Sequence, residues 1–324
     1  MDAFNWCFIG TGTLAAIVAR QLLGSGRHRI VSCYSRSASD RARFANEFGA
    51  LDCASAGDAI TAEGVDAVYV VTPHNAHYRY VKLALELGRP VLCEKAFTVT
   101  AAEAEELIDL ARSKGIYLCE AMWTWFSEGA LKAREWVGEG RIGRIRSARF
   151  TFHARAVGYA PRVSDPKKAG GALLDITVYP ITYAYRLWGM PVRIESTARL
   201  ENGIDAADDI ALTFSNGLRA QISTSIVDVN GFEIMLLKGD KGRITAPFYH
   251  SVSFLTCRTD HGGGEVFRSR DIVNTYLEEF DIVADEIRRG LTESEYVPLH
   301  STLDVMRIMD TVREQIGLRY DDLE

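Results

Sequence analysis

The sequence has no CxxC pair: Cys7, Cys33, Cys53, Cys93, Cys119 and Cys257 are scattered. A zinc knuckle or thioredoxin-like redox motif therefore has no support, and no metal site is expected. Cys7, Cys33, Cys93 and Cys119 each lie in an apolar, strand-like run, where a thiol reads as a small buried hydrophobe in a reducing compartment. With 27 glycines and 8 prolines in 324 residues, collagen-like and Pro/Gly-dominated chains are excluded. No apolar run reaches the roughly 18–20 residues that span a bilayer. No basic excess exists either: 37 Lys and Arg against 43 Asp and Glu give a net charge of −6. That balance argues against nucleic-acid and anionic-membrane partners. The opening residues, Met1-Asp2-Ala3-Phe4-Asn5-Trp6, lack the basic, apolar and small-residue regions of a secretory signal, so a cytoplasmic location is expected. What is present is an ordinary globular composition, 47% hydrophobic and 25% charged, long enough for two domains and suited to a small-molecule substrate.

The first 120 residues alternate strand-like runs (Asn5–Ile9, Arg29–Tyr34, Ala67–Val71, Pro90–Cys93, Ile116–Cys119) with amphipathic helical stretches (Leu14–Leu23, Ala38–Phe48, Ala76–Leu87, Ala101–Lys114). Glycines follow several of these helices, as expected at helix C-termini. Such alternation predicts βαβ units and a doubly wound parallel sheet. After a helix at Glu128–Gly138, seven strand-like runs follow from Ile145–His153 to Ser251–Thr256, and long helices no longer separate neighbouring strands. Asn216-Gly217 and Gly239-Asp240 suit hairpin turns, so this second sheet is expected to be large, open and mainly antiparallel. One helix, Gly171–Leu187, interrupts the series, and two more, near Thr275–Arg289 and Leu303–Ile316, close the chain. The expected division is an α/β domain at 1–121 and an α+β domain at 122–324.

The motifs cluster at the predicted strand ends. Gly10-Thr11-Gly12-Thr13-Leu14-Ala15 follows the first strand and opens a helix, matching GxGxxA. Gly10 permits the tight turn, Gly12 lets backbone approach a pyrophosphate, and the helix N-terminus offers free N–H groups. A glycine turn without a ligand is the plainer alternative. The second strand ends in Tyr34-Ser35-Arg36-Ser37 with no acid to accept the ribose hydroxyls. Arg36 and Ser35 suit a 2′-phosphate instead, which favours NADP over NAD, although Arg36 also reads as a solvated surface residue. Thr72, Pro73 and His77, after the Ala67–Val71 strand, are placed to border the cofactor, with His77 equally readable as a helix cap. The Pro90–Cys93 strand runs into Glu94-Lys95, an unusual position for a purely structural pair. Farther on, Gly170-Gly171-Ala172-Leu173-Leu174-Asp175 leads to Tyr179. Four residues apart, Asp175 and Tyr179 share a helix face. An Asp in so apolar a helix needs a partner, for which Lys95 is the candidate. Tyr179 can exchange a proton with substrate if a cation lowers its pKa from about 10, or it can be a core tyrosine.

The fingerprint at 10–15, the Glu94-Lys95 dipeptide and the Gly170–Asp175 run with Tyr179 together resemble the glucose–fructose oxidoreductase/inositol dehydrogenase (Gfo/Idh/MocA) family over nearly the whole chain. Glu120-Ala121-Met122-Trp123 and Tyr179 are most similar to its dihydrodiol and NADP-dependent D-xylose dehydrogenase branch. The resemblance implies a Rossmann domain followed by an α+β domain. It implies Lys95 and Tyr179 in acid–base work, Asp175 as a substrate or lysine partner, and a homodimer or dimer of dimers through the open sheet. Proline, often in a cis bond, usually follows the family's lysine. Here Ala96 follows it, and because a cis bond before a non-proline residue costs about 2.5–4 kcal/mol, a trans bond is expected.

Trp123, Trp125 and Phe126 can wall a substrate pocket or pack an interface. Arg155, Tyr159 and Arg162, in a polar loop, either touch substrate or are solvated. The leading expectation is hydride transfer between NADP and the hydroxyl-bearing carbon of a sugar, cyclic polyol or dihydrodiol, with Lys95 and Tyr179 moving the proton. A short-chain dehydrogenase would need lysine at position 183, where Tyr183 stands. A non-catalytic dinucleotide sensor or scaffold is the alternative.

Overall fold

The structure, a computed structural model, describes residues 2–156, 160–228, 230–260, 262–269, 275–320 and 323. The contacts divide the chain into two units, one of residues 1–123 and 276–302, the other of 124–275 and 303–324.

In the first unit the strands are β1 (Phe4–Ile9), β2 (His28–Tyr34), β3 (Leu51–Asp52), β4 (Ala67–Val70), β5 (Val91–Glu94) and β6 (Leu118–Ala121). The helices between them are α1 (Thr13–Ser25), α2 (Ala38–Phe48), α3 (Ala56–Thr61), α4 (His77–Glu86) and α5 (Ala101–Lys114). The strands form one parallel six-stranded sheet in the order β3-β2-β1-β4-β5-β6. Its direction of winding reverses between β1 and β4, so a ligand site is expected outside their carboxyl ends. Near-continuous apolar strands such as Ala67–Val70, buried at every position, follow from a sheet covered on both faces. The helix ends carry the expected signals. Ser37 and Ser55 cap α2 and α3, Thr100 and Glu103 form a capping box on α5, and Gly49 and Gly115 close α2 and α5 in the left-handed region.

The second unit contains β7 (Ile145–His153), β8 (Arg193–Glu201), β9 (Ile204–Thr213), β10 (Arg219–Ser225), β11 (Phe232–Gly239), β12 (Gly242–Pro247), β13 (Phe254–Thr259) and β14 (Gly264–Arg268). They form an eight-stranded sheet in the order β14-β13-β12-β11-β7-β10-β9-β8, antiparallel except where β7 meets β10. α6 (Glu128–Gly138) and α7 (Val178–Trp188) belong to this unit, α8 (Leu277–Arg288) belongs to the first, and α9 (Leu299–Gln315) is the last helix. Two strands of this unit, and β3 of the first, go beyond the sequence expectation. β9 starts at Ile204, six residues before the expected Ile210, and β14 was not anticipated. The β8–β9 turn is Asn202-Gly203, both at positive φ (51° and 82°), as a two-residue hairpin requires. The expected helix at Gly171–Leu187 instead opens with a π turn, Leu173–Thr177, before α7 begins.

Trp6, Phe8, Tyr69 and Phe280 pack edge-on in the core of the first unit, with centroids 4.8–5.1 Å apart. Against them lies Glu279, fully buried, with neither carboxylate oxygen hydrogen-bonded among the described residues. Burial, reinforced by the charge of Glu94, pushes its pKa well above the usual carboxylate range. The folded state therefore holds a proton that the unfolded chain releases above about pH 4.5, so this group costs stability as pH rises. Glu279→Gln is expected to change nothing at about pH 4 and to gain roughly 1.4 kcal/mol per pH unit above the unfolded pKa. Denaturation midpoints measured across that range check this, and a pH-independent difference would contradict it.

Candidate active site

The first unit supplies a dinucleotide cradle. Gly10 ends β1 at φ +116°, and a Cβ there would lie 2.4 Å from the Val71 carbonyl oxygen, so only glycine fits. Gly12 is the residue before α1, extended, with no side-chain cap on the helix. A Cβ at Gly12 would meet nothing within 4 Å. The first turn of α1 thus leaves N–H donors facing open space, as a pyrophosphate requires. Thr13 is exposed, Leu14 half-buried, and Thr11 buried with its hydroxyl donating to Ser35 Oγ at 2.9 Å. That bond ties the glycine turn to the end of β2. Thr72 Oγ1 is buried without a hydrogen-bond partner among the described residues, a polar atom left over in the loop expected to border the ligand. These residues fit a dinucleotide.

At the end of β2, Arg36 is exposed, and neighbouring Arg41 is committed to Asp52 and to the Ser35 carbonyl. Pro73 is half-buried. His77 is fully buried, with Nε2 2.8 Å from the Thr72 carbonyl and Nδ1 3.0 Å from the Ala96 carbonyl. It acts as a strut between the β4 and β5 loops.

The Lys95–Ala96 bond is cis, which corrects the trans expectation. The expectation weighed only the preference of an isolated peptide, whereas here Ala96 is fully buried and its carbonyl is held by His77. Glu94 is buried and accepts a hydrogen bond from Tyr69 Oη at 2.6 Å. Glu120, on β6, is also buried, and desolvation pushes its pKa up to about 7, with the Thr302 hydroxyl, the Phe97 N–H and the charge of Lys95 opposing. Trp123 packs on Tyr276 with centroids 5.2 Å apart.

The second unit carries Asp175 inside the π turn, a local geometry often found at functional sites. Gly171 prepares that turn. It sits at φ +120°, and a Cβ there would fall 1.8 Å from Asp205 Oδ1. Buried Asp205 accepts from the Leu173 N–H, and buried Asp208 from the Thr177 hydroxyl at 2.8 Å, so both ends of the turn are anchored to β9. Desolvation raises both carboxyl pKa values, that of Asp208 to about 6. Asp175 makes an ion pair with Arg162 at 2.7 Å. Tyr179 is buried, with the Phe152 ring 6.2 Å and the His250 ring 5.6 Å away. Trp125 and Phe126 are buried, and Trp125 packs against Tyr183 at 4.9 Å under the Arg186 guanidinium. Arg155 is exposed, and Tyr159 lies outside the described residues.

The anticipated residues therefore fall into two sets. Gly10 to Leu14, Ser35, Arg36, Thr72, Pro73, His77, Glu94, Lys95 and Trp123 belong to the first unit, and Trp125, Phe126, Arg155, Asp175 and Tyr179 to the second. Sequence reasoning did not single out His250 or Glu233, whose pairing joins the turn at Tyr249–Ser251 to the start of β11. Nor did it assign Arg162 to Asp175, although a cation 13 residues from a buried acid is a usable signal.

Residues 4–121 match the oxidoreductase family with an NAD-binding Rossmann fold, and residues 130–245 match the Gfo/Idh/MocA C-terminal domain. The chain belongs to the Gfo/Idh/MocA family. It is thus an NAD(P)-dependent oxidoreductase with a Rossmann sheet and a mainly antiparallel second sheet. Among curated relatives, the D-xylose 1-dehydrogenase (NADP(+)) of Hypocrea jecorina is 30% identical, over 98% of this chain and 93% of the relative. The trans-1,2-dihydrobenzene-1,2-diol dehydrogenase of Mus musculus is 29% identical over 98% of both chains. A solved 3-ketoreductase from Actinomadura kijaniata, in complex with NADP and TDP-benzene, shares the fold with a TM-score of 0.86 at 24% identity, covering 97% of this chain and 98% of that one. No helix among the described residues is long and apolar enough to cross a membrane.

Proposed function

We propose that this Gfo/Idh/MocA member transfers a hydride between NADP and the hydroxyl-bearing carbon of a sugar, cyclic polyol or dihydrodiol. The reading rests most on the uncapped, open turn at Gly12 beside a β2 end that carries Arg36 and no acid. The substrate class is supported by the relatives, which are named for D-xylose and for a dihydrodiol.

NADP, when bound, supplies the hydride acceptor, and the protein supplies position and a path for the proton. The N–H groups at the start of α1 would hold the pyrophosphate, and Arg36 the 2′-phosphate, joined by the Ser35 hydroxyl once it turns from the Ser37 carbonyl, to which it donates at 3.1 Å. Lys95 stabilises the negative charge that develops on the substrate oxygen, Tyr179 accepts the hydroxyl proton, and Asp175, paired with Arg162, orients the substrate. Trp123, Trp125, Phe126 and Arg155 are the side chains assigned to contact with substrate. The protein works in the cytoplasm, for which the six free, buried cysteines are the support. It assembles as a homodimer or dimer of dimers through the second sheet. Val192, Leu200 and Val266 leave apolar surface exposed in its strands or at their ends.

The binding part is tested by titrating the purified chain with each dinucleotide. NADP is expected to bind at least tenfold tighter than NAD, and Arg36→Ala to erase that difference while leaving NAD affinity unchanged, because one charge-assisted phosphate contact is worth about 1.5–3 kcal/mol. Equal affinities in the wild type, or an Arg36→Ala protein that still prefers NADP, would contradict the assignment.

A further inference from the structure

Asp205 and Asp208 stand three residues apart on β9, so an unbroken strand would point them to opposite faces. They meet the same turn instead. The pairing of β8 with β9 jumps from Leu200–Asp205 to Arg199–Ala207, which leaves Ala206 as an extra residue. Such a bulge re-aims side chains, and here it brings two buried carboxyls against the π turn Leu173–Thr177. Asp205 Oδ2 accepts the N–H of Leu173, the first residue of that turn, which has no side-chain cap of its own. Asp208 Oδ2 accepts from the hydroxyl of Thr177, the last residue, at 2.8 Å, and Thr224 Oγ1 on β10 lies 2.6 Å from the same hydroxyl. Gly171 supplies the room, since a Cβ there would overlap Asp205 Oδ1. The other oxygen of each acid, Oδ1, is buried and receives no N–H or hydroxyl donor from the described residues. The two carboxyls hydrogen-bond to each other, and desolvation keeps a proton on Asp205, so one shared proton satisfies both. Around the pair stand Asp209 on the same strand and, from the chain's closing segment, Tyr320, on whose hydroxyl both carboxyls act together with Arg313 and Asp310. Two buried acids, a bulge and a glycine are thus committed to five residues, and the central one is Asp175, itself paired with Arg162.

We propose that Asp205 and Asp208, linked by a shared proton, are positioning residues that hold the π turn in the register that fixes the direction of Asp175. The proposal rests on the reading of Asp175 as the group that orients substrate. Neither acid touches substrate, and both act through the turn. Asparagine at 205 can accept from Leu173 with its carbonyl and donate from its amide to Asp208, so it reproduces the protonated acid. Alanine does neither. Valine at 177 removes the hydroxyl that joins the turn to Asp208 and Thr224.

The test measures kcat/KM and the NADP Kd of full chains, with NADP and D-xylose or a trans-dihydrodiol. Asp205→Ala and Thr177→Val are each expected to lose about ten- to a hundredfold in kcat/KM, with the NADP Kd within about threefold of wild type. Asp205→Asn is expected to restore kcat/KM to within about threefold of wild type. Should Asp205→Ala not fold, Thr177→Val, nearly unchanged in shape, carries the comparison. The losses are then read again in an Asp175→Asn chain. A group acting through Asp175 has little left to lose there, so each added substitution should lower kcat/KM by less than about threefold, whereas a purely structural group would lower it as much as before. Wild-type kcat/KM in Asp205→Ala or Thr177→Val, a loss of about tenfold or more in Asp205→Asn, or an undiminished loss beside Asp175→Asn overturns the proposal. Asp175→Asn alone separates the two levels. If it is impaired while Asp205→Ala and Thr177→Val are silent, only the positioning role fails. If it turns over like wild type, the reading of Asp175 fails with it.

Discussion

Replacing Lys95 with methionine is expected to lower kcat by about 10²–10⁴-fold while leaving the Kd for NADP within a few-fold of wild type. Methionine keeps the length and apolar stem of lysine but removes the ammonium, so it deletes charge more than shape. In the proposed chemistry that charge acts mostly as the substrate oxygen becomes anionic, which is when a cation lowers the barrier without tightening the ground state. A fall in kcat and kcat/KM together, with cofactor affinity preserved, is the corresponding signature. The lysine also has a structural neighbourhood. Its charge opposes the desolvation of Glu120, whose pKa already stands near 7, so the variant should push that carboxyl higher still. Steady-state kinetics and a dinucleotide titration on one preparation check both halves, and unchanged turnover would remove Lys95 from the chemistry.

Paired substitutions at the two fingerprint glycines are expected to separate folding from binding. Gly10→Ala places a methyl 2.4 Å from the Val71 carbonyl at φ +116°, so backbone must shift at the β1–β4 junction, and a clear fall in melting temperature should follow. Gly12→Ala meets no atom within 4 Å and has an ordinary φ of −78°, so the fold should be untouched. Yet the methyl would occupy the space where a pyrophosphate must approach backbone, and NADP affinity should drop by at least tenfold. Thermal unfolding with and without NADP distinguishes the two, since the ligand's stabilising shift should vanish in Gly12→Ala while the ligand-free midpoint stays put. A Gly12→Ala protein with full NADP affinity would place the dinucleotide elsewhere.

Much of the fold was legible because local signals and global topology agree. Apolar runs of four to six residues, amphipathic helices and glycine stops repeat through residues 4–121, and the structure realises them as the parallel sheet. The expected Glu128–Gly138 helix and the Ile145–His153 and Arg219–Ser225 strands match the observed bounds. The front half of β9 was hidden because Asp205, Asp208 and Asp209 depress strand propensity, and two of these are buried only because they anchor the π turn. The Asn202-Gly203 hairpin was a readable signal that composition-led reading passed over. The return of Tyr276–Thr302 to the first unit is a long-range event, fixed by contacts such as the Tyr117–Glu286 hydrogen bond and the isolated bridge from Leu118 to Glu293, which no local pattern encodes. The same limit applies to the site. Glycine spacing and the Glu94-Lys95 dipeptide are local and visible, whereas the His250–Glu233 pair spans 17 residues and becomes meaningful only once β11 and the Tyr249–Ser251 turn are brought together.

The central claim is turnover with NADP, and the most direct measurement is the absorbance of reduced nicotinamide formed by the full chain with D-xylose, a cyclic polyol and a trans-dihydrodiol, each with NADP and with NAD. NADPH formation with at least one of these, slower with NAD and abolished in Lys95→Met, is the predicted result. Tight NADP binding without reduction across all three substrate classes would contradict it and leave a dinucleotide-binding protein without this chemistry.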